Sequence, residues 1–244
     1  MPFTFSHPAI VLPFLKIRHA SISMSALIIG SITPDFEYFI RMKLSGRYSH
    51  SLEGMFFLDL PLACIIALTF HQVVKKSLID NLPGYFYTRL VSLRNFEFTS
   101  YLRQYLWLFL LWLLIGIASH ILWDSFTHAN SYFVDYISFL STPIAIDGFP
   151  QWPLFRYLQH ASTIVGGGFL IVFFHRLPKD EQKNNVSIKF WIILVMIAVI
   201  AFTVRASFGF EYLGDIVTVI ISSVFIGLIT SSILIRIFSS ARNN

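Results

Sequence analysis

The chain has 244 residues, 55% of them hydrophobic, 17% aromatic and 13% charged, with a mean hydropathy of +0.67 and a formal net charge of +5. A soluble domain carries roughly 25% charged residues, so this chain cannot clothe a globule of its size in solvated side chains; an ordinary soluble enzyme, a disordered chain and a coiled coil are excluded. Its basic residues are scattered between apolar runs, which argues against nucleic acid as a partner, and the single cysteine, Cys64, permits neither an internal disulfide nor a thiolate metal site.

In chain order, the apolar stretches 9–15 and 22–32 are each too short to cross a bilayer and are separated by Lys16, Arg18 and His19. They predict a two-limbed hairpin or re-entrant segment. Neither a basic stretch nor a small-residue cleavage pattern marks them as a signal peptide. Residues 55–74 predict a first span, with Asp59 and Pro61 inside it, and 105–123 a second. A third, 163–174, contains Gly166-Gly167-Gly168, which lets another backbone approach closely. Residues 190–204 form a short span whose flanking Lys189 and Arg205 can snorkel. The last, 216–235, has the about twenty uncharged residues needed to cross roughly 30 Å of hydrocarbon. The expected fold is an all-α polytopic integral membrane protein of about five transmembrane helices plus the amino-terminal hairpin. Residues 1–175 are read as a metal-site membrane domain, and 176–244 as two further helices of the same domain.

Loop charge predicts orientation. Lys75, Lys76, Arg89, Arg94 and Arg103 share one connection, Arg176, Lys179, Lys183 and Lys189 another, and Arg242 lies in the tail, so these are expected in the cytoplasm. Alternation places 33–54, 124–162 and 206–215 on the opposite face. Arg41, Lys43 and Arg47 are the exception to this pattern.

The chemistry-bearing residues gather near that opposite face. His120 and Asp124 are four apart, so they share one helix face at the end of a span, and His128 joins them if the helix continues. An ionisable pair there is a functional candidate by default, although a hydrogen-bonded pair that packs two helices is the plain alternative. Asp35 after Pro34, His50 between two serines, and His160 fall on the same predicted side, and His7 joins them if the first hairpin dips into the membrane. Oxygen and imidazole donors without thiolate suit a divalent metal, zinc first, with manganese or iron also fitting. Arg41, Lys43 and Arg47 are phosphate-binding candidates, or else a solvated interfacial loop. Asp59 and Glu37 are candidates for orienting the ligands, with helix packing the other role for Asp59. His19, His71 and His175 sit beside basic residues at predicted cytoplasmic ends and read as interfacial.

The pieces Pro2-Phe3-Thr4-Phe5-Ser6-His7-Pro8, Gly30-Ser31-Ile32-Thr33-Pro34-Asp35-Phe36-Glu37-Tyr38, Ser49-His50-Ser51-Leu52-Glu53-Gly54, Leu58-Asp59-Leu60-Pro61 and the run from Ser119-His120 to His128 resemble an uncharacterised bacterial membrane family, the domain of unknown function 4184. The resemblance covers roughly residues 1 to 175 and implies a multi-pass protein of the bacterial inner membrane, without supplying an activity. More distantly, the order His, Pro-Asp, His-Ser, His-x-x-x-Asp is similar to the predicted membrane-bound metal-dependent hydrolases and to the zinc-dependent phospholipase C and S1/P1 nuclease group. That likeness implies His7, Asp35, His50, His120 and Asp124 as metal ligands, Asp124 as the bridging carboxylate, and His128 and His160 at a third ion. It departs at Ile164, where the group has its last carboxylate. The expectation is a membrane-bound metal-dependent phosphoester hydrolase whose substrate is lipid-linked. The competing reading is a transport or scaffold protein whose polar residues form an ion path or pin helices.

Overall fold

The computed structural model describes residues 3–16, 22–145, 147–148 and 150–240. Arg18 and His19, the side chain of Lys16, and Arg242 lie outside the described residues. The chain opens on a 3-10 segment, Thr4–Lys16. Pro8 and Pro13 cannot donate backbone hydrogen bonds, which is why this stretch does not settle into an α-helix. The helices that follow are α1 (Met24–Ile32), α2 (Phe36–Arg41), α3 (Leu52–Asn81), α4 (Gly84–Leu90), α5 (Phe98–Asp124), α6 (Tyr132–Tyr136), α7 (Leu154–His175), α8 (Ile188–Ala206) and α9 (Leu213–Ser240). Among the described residues the strands are β1 (Pro143–Ile144) and β2 (Trp152–Pro153), a two-stranded antiparallel ladder with Pro143 opposite Pro153.

Five helices are long and apolar enough to cross a membrane: α3, α5, α7, α8, and α9 over Leu213–Phe238. Each contains one span predicted from the sequence. The protein is therefore an all-α, multi-pass membrane protein.

Two of these helices depart from regular geometry: α3 carries two π-helical segments, Met55–Asp59 and Phe70–Val74, and α5 a kink at Tyr105. In α3 the segment Met55–Asp59 is π-helical, with the Leu60 N–H reaching back to the Met55 carbonyl. Pro61, two residues beyond Asp59, has no N–H to offer the Phe57 carbonyl, so the regular ladder cannot run through this turn. In α5 the backbone of Tyr105 leaves the helical region (φ −127°, ψ 27°), so the helix kinks where the predicted second span begins.

By packing the chain divides into two units. The first comprises Met1–Pro34, Tyr48–Ala63 and Tyr105–Arg176. Its tightest seam joins α1 to α5: a Cβ built on Gly30 would lie 2.3 Å from the Leu113 carbonyl oxygen, and one on Gly116 2.5 Å from that of Leu27. Only glycine allows two helix backbones this close. A second seam joins α7 to the 3-10 segment, where a Cβ on Gly166 would meet the Ser6 carbonyl oxygen at 2.9 Å. Of the three consecutive glycines Gly166 makes the close approach, whereas Gly168 has nothing within 4 Å.

The second unit comprises Asp35–Arg47, Cys64–Gln104 and Leu177–Asn244. Within it α8 and α9 meet at Gly227, whose Cβ would lie 2.5 Å from the Leu194 carbonyl oxygen. The buried Asp215 carboxylate accepts backbone hydrogen bonds from Leu44, Glu211 and Tyr212, which fastens the turn after α2 to the start of α9. The connections after α3 and after α7 touch where the Asp180 N–H donates to the Thr88 carbonyl at 2.8 Å. Two of the basic connections thus share one end, as alternating spans require.

Candidate metal centre

Asp124, the last residue of α5, is buried, and among the described residues four imidazoles surround its carboxylate. His7 Nε2 lies 3.1 Å from Oδ1. His120 Nε2 and His50 Nε2 lie 3.3 Å and 3.4 Å from Oδ2. His128 Nδ1 lies 3.5 Å from Oδ1. The His120 and Asp124 pair is the one-turn helical spacing read from the sequence. His7 arrives on the 3-10 segment, and His50 on the turn before α3.

What holds each ring on one nitrogen decides what its other nitrogen can do. His120 Nδ1 donates to the Ser31 carbonyl at 2.7 Å, and His7 Nδ1 donates to the Thr4 carbonyl at 3.2 Å. A carbonyl only accepts, so both rings carry a proton on Nδ1 and present Nε2 to the centre. A neutral imidazole with its proton on Nδ1 has a lone pair on Nε2, and here that lone pair faces carboxylate oxygens and another histidine. His120 Nε2 is also 3.2 Å from His50 Nε2. Either a proton on His50 Nε2, with Nδ1 accepting from the Ser49 hydroxyl at 3.1 Å, or a cation among the rings relieves the repulsion between these lone pairs.

Protonating the rings would supply the cation at a cost, because His7 and His120 stack face to face at 3.8 Å and both are buried. Two imidazoliums so placed repel strongly in a low dielectric. A divalent ion placed among Asp35, His50, His120 and Asp124 could satisfy His50 and His120 Nε2 together with the carboxylates. The anchoring of Nδ1 to backbone carbonyls is the arrangement that orients histidine ligands in metal sites generally.

Asp35, His50, His120 and Asp124 each offer a ligand atom, and these atoms lie within 4.8 Å of one another. Asp35 ends the 3-10 turn Thr33–Asp35 that follows α1, and it is fully buried. His50 adopts a left-handed backbone (φ 65°), which costs an ordinary L-residue roughly 1–2 kcal/mol. The donor set is nitrogen and oxygen, as expected for zinc, manganese or iron.

His128 stands further out. Its Nε2 accepts from the Gln159 side-chain amide at 3.3 Å, and its Nδ1 donates to the Asp124 carbonyl at 3.2 Å. Burial pushes its imidazolium below the usual histidine range, which agrees with a neutral ring that accepts from Gln159. A folded-state value below the unfolded one means that the unfolded chain binds more protons as the pH falls. Stability is therefore expected to drop on acidification below about pH 6.5. The thermal midpoint of His128→Gln, followed from pH 7.5 to 5 in detergent, should fall less steeply than that of the unsubstituted protein.

The remaining candidates are placed elsewhere. His160 is exposed on α7 with its ring 5.4 Å from Trp152. Arg41 Nε donates to Glu37 at 2.8 Å, Lys43 pairs with Glu211 at 2.7 Å, and the Arg47 backbone N–H also donates to Glu37. Two of the charges that offended the orientation rule are thus matched by carboxylates. Glu37 is buried in this arrangement. Asp59 is fully buried in the π-helical turn of α3. His71, read as interfacial, stacks on Phe98 at 4.0 Å.

Several residues that build the centre were not singled out by sequence reasoning. Gly30 and Gly116 bring α1 against α5 so that the Ser31 carbonyl meets His120, one turn beyond Gly116. Small residues at matched positions in two apolar segments were the available signal.

The family described as Domain of unknown function (DUF4184) matches residues 1–235. The chain belongs to that family. The match runs past residue 175, where the motif resemblance ends, and through most of α9, so the last two membrane helices are part of what DUF4184 describes. No curated protein and no solved structure matches the chain. The likeness of this DUF4184 chain to the zinc-dependent hydrolases rests on the order of its motifs alone.

Proposed function

We propose that the protein is a membrane-bound, metal-dependent hydrolase of a phosphoester, acting in the bacterial inner membrane with the centre facing away from the cytoplasm. One observation carries the reading: buried His7 and His120, each with its Nδ1 proton held by a backbone carbonyl, turn Nε2 toward the same buried carboxylate. A helix-packing role would be served by one such pair. Four imidazoles on one carboxylate, with rings stacked at 3.8 Å, make a costly staple and a serviceable ligand set.

His7, Asp35, His50, His120 and Asp124 are the residues that would hold the ion. A divalent cation so held lowers the pKa of bound water toward about 7 and offsets charge on phosphoryl oxygens. The rest falls to the protein's own groups. Ser31 and Thr4 fix the ring orientations, and Asp124 offers both oxygens. His128 keeps a proton on Nδ1 beside Asp124 while Gln159 occupies its other nitrogen.

Elemental analysis of the detergent-purified protein beside His120→Ala tests the proposal. The expected result is stoichiometric zinc, manganese or iron, lost in the variant, with hydrolysis of a chromogenic phosphoester following the metal. A folded protein that binds none of these ions after reconstitution would return the cluster to a scaffold or ion-path role.

A further inference from the structure

Beside the centre, within the same unit, lies a cavity of about 760 Å³ with almost wholly apolar walls. The 3-10 segment contributes His7 and Ile10, the end of α5 contributes Trp123 and Phe126, and α7 contributes Val165 and Phe169. The cavity has a local cause. α7 is drawn against the 3-10 segment at Gly166, and the Ser6 hydroxyl and the Phe3 N–H bond to Thr163. Below that clasp Val165 and Phe169 stand 55% and 62% exposed on a membrane-spanning helix, so the space opens sideways rather than toward water.

An opening of this kind in a bilayer faces acyl chains. What sets this one apart is its inner wall, because the His7 ring that lines it is the ring whose Nε2 lies 3.1 Å from Asp124. Any chain lying in the cavity has its end beside the centre. Size bears on the occupant as well. A helix about 10 Å across fills about 420 Å³ per turn, so the cavity would take less than two turns of a partner helix. Single small molecules occupy pockets of about 300–1,000 Å³.

We infer that this cavity holds the hydrocarbon chain of the substrate, an amphiphile with one long chain in the cavity and a phosphoester head at the histidine cluster. The phosphoester part rests on the function proposed above; the chain-binding part rests on the cavity.

Photolabelling of the intact, detergent-solubilised protein with dodecyl phosphate carrying a diazirine at its far end tests the inference. Label is expected on peptides from Thr4–Lys16 and Leu154–His175, competed by unlabelled dodecyl phosphate but not by inorganic phosphate. Val165→Trp, which fills the cavity, should weaken labelling by about tenfold, since a few methylenes lose their burial. Ile200→Trp, at an equally exposed site on α8, should leave it unchanged. Label spread over all five membrane helices, as for bulk lipid, would overturn the inference, and the map of the unsubstituted protein decides this without any variant. Localised label on a protein that carries no metal would uphold the cavity and overturn the hydrolase reading. Turnover of a short-chain phosphoester alongside dispersed label would do the reverse.

Discussion

Asp124→Ala is expected to empty the centre. Among the described residues the carboxylate touches four imidazoles, and its removal leaves Asp35 as the cluster's remaining carboxylate. If a site of five such ligands binds its ion with about 10–16 kcal/mol, one ligand is worth about 2–3 kcal/mol, a loss of about 30- to 150-fold in affinity. Asp124→Asn separates charge from shape. It keeps one oxygen and the packing, so the fold should persist while metal affinity falls nearly as far. Competition with a chelator of known affinity measures both variants. Affinity unchanged in Asp124→Asn would show that the carboxylate charge has no part in holding an ion.

Gly116→Leu is expected to damage stability and the centre together. The first added carbon would stand 2.5 Å from the Leu27 carbonyl oxygen and 2.9 Å from the Gly30 Cα, atoms that cannot move unless α1 moves. Forcing that seam apart should cost about 3 kcal/mol or more, lowering the thermal midpoint by about 6–12 °C for a chain of this length. The same shift pulls the Ser31 carbonyl from His120 Nδ1, a bond of 2.7 Å, and releases the ring that faces Asp124. Loss of a group that orients a ligand typically lowers metal affinity by about 10- to 100-fold. Gly168→Ala is the matched control. With nothing within 4 Å of its added methyl, it should leave the midpoint unchanged or raise it slightly through helix propensity. Equal losses in both variants would contradict the seam.

The hydrocarbon seat and the centre share His7, whose ring lines the cavity and faces Asp124. The 3-10 segment exists because Pro8 and Pro13 forbid a regular helix. Its turn puts the Thr4 carbonyl within reach of the His7 ring, and so its other nitrogen is presented to Asp124.

The membrane architecture was legible in the sequence. All five predicted spans lie inside helices of spanning length, because each span is set by the local run of apolar residues between charges. The His120 and Asp124 pair was legible for the same reason: its spacing is a property of one helix. The kink at Tyr105 and the π-helical turn at Asp59 refine those helices without changing their number.

Which histidines meet was decided only by the tertiary structure. His7 is 117 residues from Asp124, and His50 is 70 from His120, so no local periodicity relates them. Their meeting depends on two glycines that permit backbone contact, on Pro-limited turns that aim the rings, and on carbonyls that fix the ring protons. His160 shows the same limit from the other side. It lies in a span-opening motif, yet its ring faces Trp152, because the turn of α7 that carries it presents Gln159, not His160, to His128. Hydropathy along a chain determines what enters the membrane, while close packing between distant segments determines which polar groups must share the space inside it.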